Sequence, residues 1–239
     1  MCIRDSYKGI YVWYISLVQN MKVKIYFHVH TKCSKDAIIS IKDIEEFLRK
    51  NKDAILVICD HNTSRCANYL KKRFPKRIIV GVEKETKVGE IVGIFVSNYE
   101  NTKDPIEFIL SIKKNQGLVC IPHPKFFNDK IEKYLEFVDF IETFNGRHGY
   151  FKFNAEANII KSICGCDAHS LSELESCCIT MSLNKLDEKL IKEKLISGEF
   201  KMKINYRVPG SRCIATFIKT FYRTMEFKRI ISFFTKRIL

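Results

Sequence analysis

From Lys22 onward, short apolar runs alternate with segments of helical periodicity, the pattern of a parallel sheet wrapped by helices. The strand candidates are VKIYFHVH, AILVICD, RIIVGVE, EIVGIFVS, LVCIPHP, VDFIETFN and SICGCDAH. Ser40 is placed to N-cap a helix reaching Lys50, with Ile41, Ile44, Glu45 and Leu48 at helical spacing. Asp104-Pro105 opens another, to about Asn115, because proline is tolerated in a first turn. Nearly every strand candidate ends in His, Asp or Glu. In a parallel barrel all strand C-termini lie on one face, so these distant residues are expected to converge there.

With 239 residues, 46% apolar and 28% charged, the chain has material for one packed α/β domain and is a poor candidate for general disorder. The net charge of +14 is uneven: the last 33 residues, Arg207 to Leu239, hold eight basic side chains against Glu226. Apolar residues from Ile214 to Ile238 recur there at helical spacing, so residues 207–239 read as a basic amphipathic tail. Docking on the barrel, peripheral contact with an anionic membrane and nucleic-acid binding all suit it. The opening MCIRDS resembles a translated sequencing adapter and Met21 directly precedes the first strand, so residues 1–20 read as a non-native or disordered leader and residues 21–206 as the domain. No run approaches the ~20 apolar residues of a spanning helix. The ten cysteines are scattered through apolar runs, which predicts reduced thiols and a cytoplasmic protein. Cys164 and Cys166 lack a second pair and read as core residues.

The chemistry lies at the strand ends. His28 and His30, two apart on a strand, face one side and can meet one ion, and Asp36 follows in the next loop. Asp60 precedes His61, a carboxylate placed to orient an imidazole ligand. Glu83 ends GVE; a buried acid there needs a counter-charge, whereas an exposed one would form a surface salt bridge. His123 sits between stiffening prolines, and Glu142, Asp167 and His169 close the series. Singly each has a bland reading; in order at successive strand ends they describe a metal site.

The motifs HVHTKCSKDA, ICDHNT, GVEKET, GLVCIPHP, FIETFN and CGCDAHS resemble, in order, those of the PHP family, the polymerase and histidinol phosphatase superfamily. The resemblance runs from about Lys22 to Asn205. It implies a distorted (β/α)7 TIM-like barrel with its metal site at the C-terminal ends of the strands, and two or three divalent ions, zinc, manganese or iron. By motif position it implies His28, His30, Glu83 and Asp167 around one ion, with Asp36, His61, His123, Glu142 and His169 completing the others. Two positions depart from the family pattern. Tyr26 stands where an aspartate is common, and GEIVGIF offers apolar groups where a histidine is common, which favours two ions over three. IPHPKFFNDK also lacks an arginine found in some relatives, with Lys125 a replacement or the group simply lost.

The implied activity is hydrolysis of a phosphate ester by a metal-activated hydroxide, the ester being a nucleotide, an oligonucleotide or a small phosphorylated metabolite. His61, His169 and Asp60 are the expected catalytic residues, a cluster histidine protonating the leaving group. Arg65, Lys125, Arg147 and His148 lie beside motif positions and are the candidates for substrate phosphate, the alternative being solvated loop charges. A histidinol-phosphatase-type monoesterase, a non-catalytic metal-stabilised domain serving a partner, and hydrolysis of a carbon–nitrogen bond are the competing readings.

Overall fold

The computed structural model describes residues 20–124, 134–151 and 160–205. Leader residues 1–19, the basic tail and Lys125 lie outside the described residues.

All seven expected strands form: β1 (Met21–Val29), β2 (Ala54–Ile58), β3 (Ile78–Thr86), β4 (Gly89–Ile94), β5 (Leu118–Ile121), β6 (Phe140–Asn145) and, after the two-residue β7 (Gly149–Tyr150), β8 (Lys161–Gly165). Helix α1 (Ile41–Lys50) starts at a capping box in which Ser40 and Asp43 satisfy each other's backbone N–H groups. Helix α2 (Arg65–Arg73) follows β2, and α3 (Pro105–Lys114) is capped by Asp104, which accepts from the amides of Ile106 and Glu107.

The sheet is mixed, where the periodicity predicts a parallel one. β1–β2, β2–β3, β5–β6 and β6–β8 pair parallel, but β4 runs antiparallel between β3 and β5. The cause is a hairpin: Gly89 takes φ +136°, and Thr86 Oγ1 donates to the Gly89 carbonyl while accepting the Val88 amide. No helix separates β3 from β4, and β4 begins, rather than ends, on the side where β3 ends. Besides α2 and β7, three later elements were not anticipated: β9 (Cys177–Leu183), helix α4 (Glu188–Ser197) and β10 (Lys201–Ile204), with β9 pairing antiparallel to the free edge of β1 and β10 to β9.

The sheet curls until its far strand meets its first. Just past β8, the amides of Cys166 and Ala168 donate to the carbonyls of Phe27 and His28, and His30 N–H donates to Ala168 O. The strand interiors are apolar; every residue of β2 is buried, as are Val23, Ile25 and Phe27 of β1, in one core cluster. A second cluster packs α3 through Phe108, Ile109 and Ile112 against Val119 and Ile121 of β5. No helix among the described residues is long and apolar enough to cross a membrane.

The reading of all cysteines as reduced fails for one pair. Cys33, in the loop after β1, is disulfide-bonded to Cys66 in the first turn of α2, while Cys59, Cys120, Cys164, Cys166, Cys177 and Cys178 are buried thiols. Sequence scatter could not reveal a pair brought together by a loop and a helix start on the same side of the barrel. The bridge closes a loop across a sequence separation of 33, so reduction or the Cys33→Ser/Cys66→Ser variant is expected to lower unfolding free energy by about 3 kcal/mol. Urea unfolding with and without reductant checks this; coincident curves would show that the bridge constrains nothing.

Candidate metal centre

The site begins where β1 loses its regularity. Its pairing with β2 shifts register between Tyr26 and Val29, and His28 adopts φ +65°. Both His28 and His30 are fully buried and aim into the barrel mouth. His28 Nδ1 lies 2.8 Å from Glu142 Oε1, and a carboxylate accepts, so Nδ1 carries a proton and Nε2 is the nitrogen that faces the cluster. Ser34 Oγ donates to Asp60 Oδ1 at 2.8 Å and therefore accepts from His30 Nδ1, 3.1 Å away, which again leaves Nε2 to the cluster.

Acids face these Nε2 atoms. Glu83 places Oε1 3.2 Å from His28 Nε2 and Oε2 3.4 Å from His30 Nε2, while Asp167 Oδ1 is 3.4 Å from His30 Nε2. His123 Nε2 lies 3.1 Å from Glu83 Oε1. On the outer side, Asp36 reaches His61 Nε2 at 3.5 Å and His169 Nε2 at 3.4 Å. Ligand atoms of His28, His30 and Asp167, of His28, Glu83 and His123, and of His30, His61 and His169 form three groups, each with its atoms within 4.8 Å of one another. Among the described residues, His28 Nε2, His30 Nε2, Asp36 Oδ1 and Glu83 Oε2 are buried atoms without a hydrogen-bond partner. Nitrogen and oxygen donors sharing one unsatisfied space fit a divalent cation of the zinc, manganese or iron type.

The protonation pattern has the same origin. Burial opposes charge on His28, yet Glu83, Glu142 and Asp167 hold its pKa well above the usual value. Burial would raise Glu83, but the charge of His28 and the close His123 and His61 imidazoles keep it well below the carboxylate range. For His61, Asp36 and Glu83 outweigh burial and raise the pKa to about 11. His30 moves oppositely: burial, then the charges of His169 and His61, lower it to about 3, so its ring is a neutral donor. Protons are standing in for cation charge beside anionic carboxylates.

Above this cluster opens a cleft of about 300 Å³ lined by Asp36, His61, Glu83, Glu90, His123, Arg147, His148, Asp167 and His169. With His28 and His30 beneath it, all six histidines of the chain are gathered here. Arg147 Nη1 lies 3.0 Å from His169 Nδ1, and His148 Nε2 is 3.8 Å from Asp167 Oδ2.

Some expected site residues are placed differently. Asp60 is buried away from the cleft, its carboxylate taken up by Thr31 N–H, the Thr31 hydroxyl and Ser34 Oγ; it anchors the loop carrying His30 instead of facing substrate. Glu142 is likewise committed, Oε1 to His28 and Oε2 to the His123 amide and Asn145. Arg65 is exposed on α2 with Nη2 4.0 Å from Cys33 Sγ and does not line the cleft. Two acids were missed. Glu173 accepts the His169 and Ser170 amides at 2.7 and 2.8 Å, a capping interaction legible in Ser170-x-x-Glu173. Glu90 was missed because it begins a strand.

No family model matches the sequence. The uncharacterized protein MJ1587 of Methanocaldococcus jannaschii is 31% identical over 145 residues, spanning 53% of this chain and 84% of its own length. A crystal structure from Bacteroides vulgatus, described as a two-domain protein containing a predicted PHP-like metal-dependent phosphoesterase, superposes with a TM-score of 0.63 at 16% identity, covering 78% of this chain and 66% of that one. The chain belongs to the family of the archaeal protein, and it carries the PHP fold. The likeness to the Bacteroides chain is one of fold, so within the PHP fold the chemistry must be argued from the residues above.

Gly165 shows how tightly the PHP barrel mouth is built, since a methyl there would collide with the Glu142 carboxylate that holds His28. Gly165→Ala is expected to lower stability by about 1–3 kcal/mol and to weaken metal binding by misaligning His28. Thermal unfolding and a metal titration check the pair of effects; unchanged metal affinity would mean that Glu142 does not orient His28.

Proposed function

We propose that this chain is a metal-dependent phosphoesterase, a hydrolase acting on a nucleotide, an oligonucleotide or a small phosphorylated metabolite, built on a distorted (β/α)7 barrel. The observation that carries the reading is the convergence of buried, unpartnered donor atoms, His28 Nε2, His30 Nε2, Asp36 Oδ1 and Glu83 Oε2, beneath a cleft edged by Arg147 and His148. His28, His30, Asp36, His61, Glu83, His123, Asp167 and His169 hold the ions. Bound divalent ions supply Lewis acidity, neutralising phosphoryl oxygens and lowering the pKa of the attacking water.

The remaining groups bind and orient. Arg147 is half-buried at the cleft wall, and its planar fork suits the non-bridging oxygens of a phosphate better than a lone ammonium would. We assign His61 and His169 to holding metal, because they share a ligand group with His30. His148 stands outside those groups, so its Nε2 is the position from which a proton is moved to or from substrate. Asp60 and Glu142 act through His30 and His28 as positioning residues. The fold likeness and the open, polar cleft support an enzyme over a metal-stabilised structural domain.

Incubating the protein with Mn²⁺, Zn²⁺ or Fe²⁺ and either p-nitrophenyl phosphate or bis(p-nitrophenyl) phosphate is expected to release p-nitrophenol. His28→Ala should reduce turnover by at least about 100-fold, as loss of a buried ligand exceeds the usual effect of losing its outer support. Silence of the metal-loaded protein on both esters, or full turnover by His28→Ala, would refute the reading. Arg147→Ala is expected to raise KM about tenfold, the value of one charge-assisted hydrogen bond; an unchanged KM would remove Arg147 from the phosphate site.

A further inference from the structure

We propose that Glu90 is a metal ligand, holding a cation together with Glu83 and His123 at the rim of the cluster. The inference rests on the metal-centre reading above and extends its ligand set to β4, from which the sequence reading drew no ligand.

The geometry comes from the reversal of β4. In the β3–β4 pairing Glu83 lies opposite Val92 and Glu85 opposite Glu90, so Glu90 is the diagonal neighbour of Glu83 on the same face of the sheet. Its carboxylate faces two of the four histidines that Glu83 faces. Oε1 is 3.6 Å from His61 Nδ1 and Oε2 is 3.6 Å from His123 Nε2, against 2.9 and 3.1 Å for the two Glu83 oxygens. His61, Glu83 and Glu90 have ligand atoms within 4.8 Å of one another. Independently, Glu83 Oε2, in a side chain 1% exposed, makes no hydrogen bond among the described residues, its 2.9 Å approach to His61 Nδ1 being an ion-pair contact only. Two carboxylates turned toward the same space repel unless positive charge lies between them.

The choice of histidine follows from lone pairs. A neutral imidazole has one, so His61 can serve one cation only. Its Nε2 faces Asp36, and His61 shares a ligand group with His30 and His169. His123 Nε2, in contact with both Glu83 and Glu90, is the nitrogen left to the rim position. Glu90 is itself partly exposed, at 35%, which places this ion nearest the solvent side of the cleft, where an anionic ester would first meet it.

The test is a metal count. Full-length protein stripped with chelator is equilibrated against buffered free Mn²⁺, and bound manganese per chain is measured by inductively coupled plasma mass spectrometry. Glu90→Gln, which keeps the shape and removes the charge, is expected to bind one ion fewer, or to bind its weakest ion more than about tenfold less tightly. Glu85→Gln, on the neighbouring exposed position of the hairpin, serves as the control and should match wild type, and circular dichroism of each stripped variant establishes folding. A Glu90→Gln isotherm superimposable on wild type overturns the proposal, including when both proteins hydrolyse p-nitrophenyl esters, in which case the phosphoesterase reading stands. Loss of one ion in Glu90→Gln while neither protein turns over ester supports the ligand assignment and overturns that reading instead.

Discussion

The burial of ionised carboxylates in the mouth of a barrel is the constraint from which the rest of this structure follows. Glu83 and Asp167 are almost fully removed from water, and Glu142 entirely so. An isolated buried carboxylate is too costly to remain charged, so each must be met by hydrogen bonds, protonated imidazoles or a cation. Glu142 is satisfied by His28, the His123 amide and Asn145. Glu83 and Asp167 are met by His28 and His30, whose Nε2 atoms make no hydrogen bond among the described residues, so these two acids are the ones whose neutralisation a metal would take over.

Holding that cluster in place requires backbone that a regular sheet does not supply. His28, His123 and Asp167 all adopt positive φ, at +65°, +27° and +47°. Such conformations in non-glycine residues cost of order 1–3 kcal/mol each, and they persist only where the surroundings over-determine them. Here the surroundings are visible. The His28 carbonyl accepts the Ala168 amide, the His123 amide is held by Glu142, and Asp167 lies between two residues stitched onto β1. The bonds that curl the sheet closed are thus also the bonds that aim the ligands, and outer acids such as Asp60 and Glu173 repeat the device by fixing loops through backbone amides.

The alternation of apolar runs located seven of the ten strands described in the curled sheet, because a strand buried on both faces leaves an unmistakable short apolar stretch. Ser40 and Asp104 marked their helices because capping is a local interaction between near neighbours. Strand ends rich in His, Asp and Glu marked the site for the same reason, since a parallel strand ends at the active face. The failures share a cause. Glu90 escaped because β4 is reversed, which puts its first residues at the site. Asp60 was credited with chemistry because adjacency to His61 in the chain does not tell which way a carboxylate turns. Strands β9 and β10 escaped although ITMSL and KMKI alternate apolar and polar residues, because neither is a continuous apolar run ending in a His, Asp or Glu; they pair at the open edge of β1.

The amino-acid sequence by itself determined the inventory: which segments bury themselves, where helices begin, and that six histidines and a set of acids recur at segment ends. Those are properties of residues and their near neighbours, so local pattern suffices to express them. Only the tertiary structure decided which acids share a space with which histidines, which nitrogen of each ring is left to the cluster, and that Cys33 meets Cys66. These depend on the direction of each strand and on the competition among buried polar groups for partners far away in the chain, and that competition exists only once the barrel has excluded water.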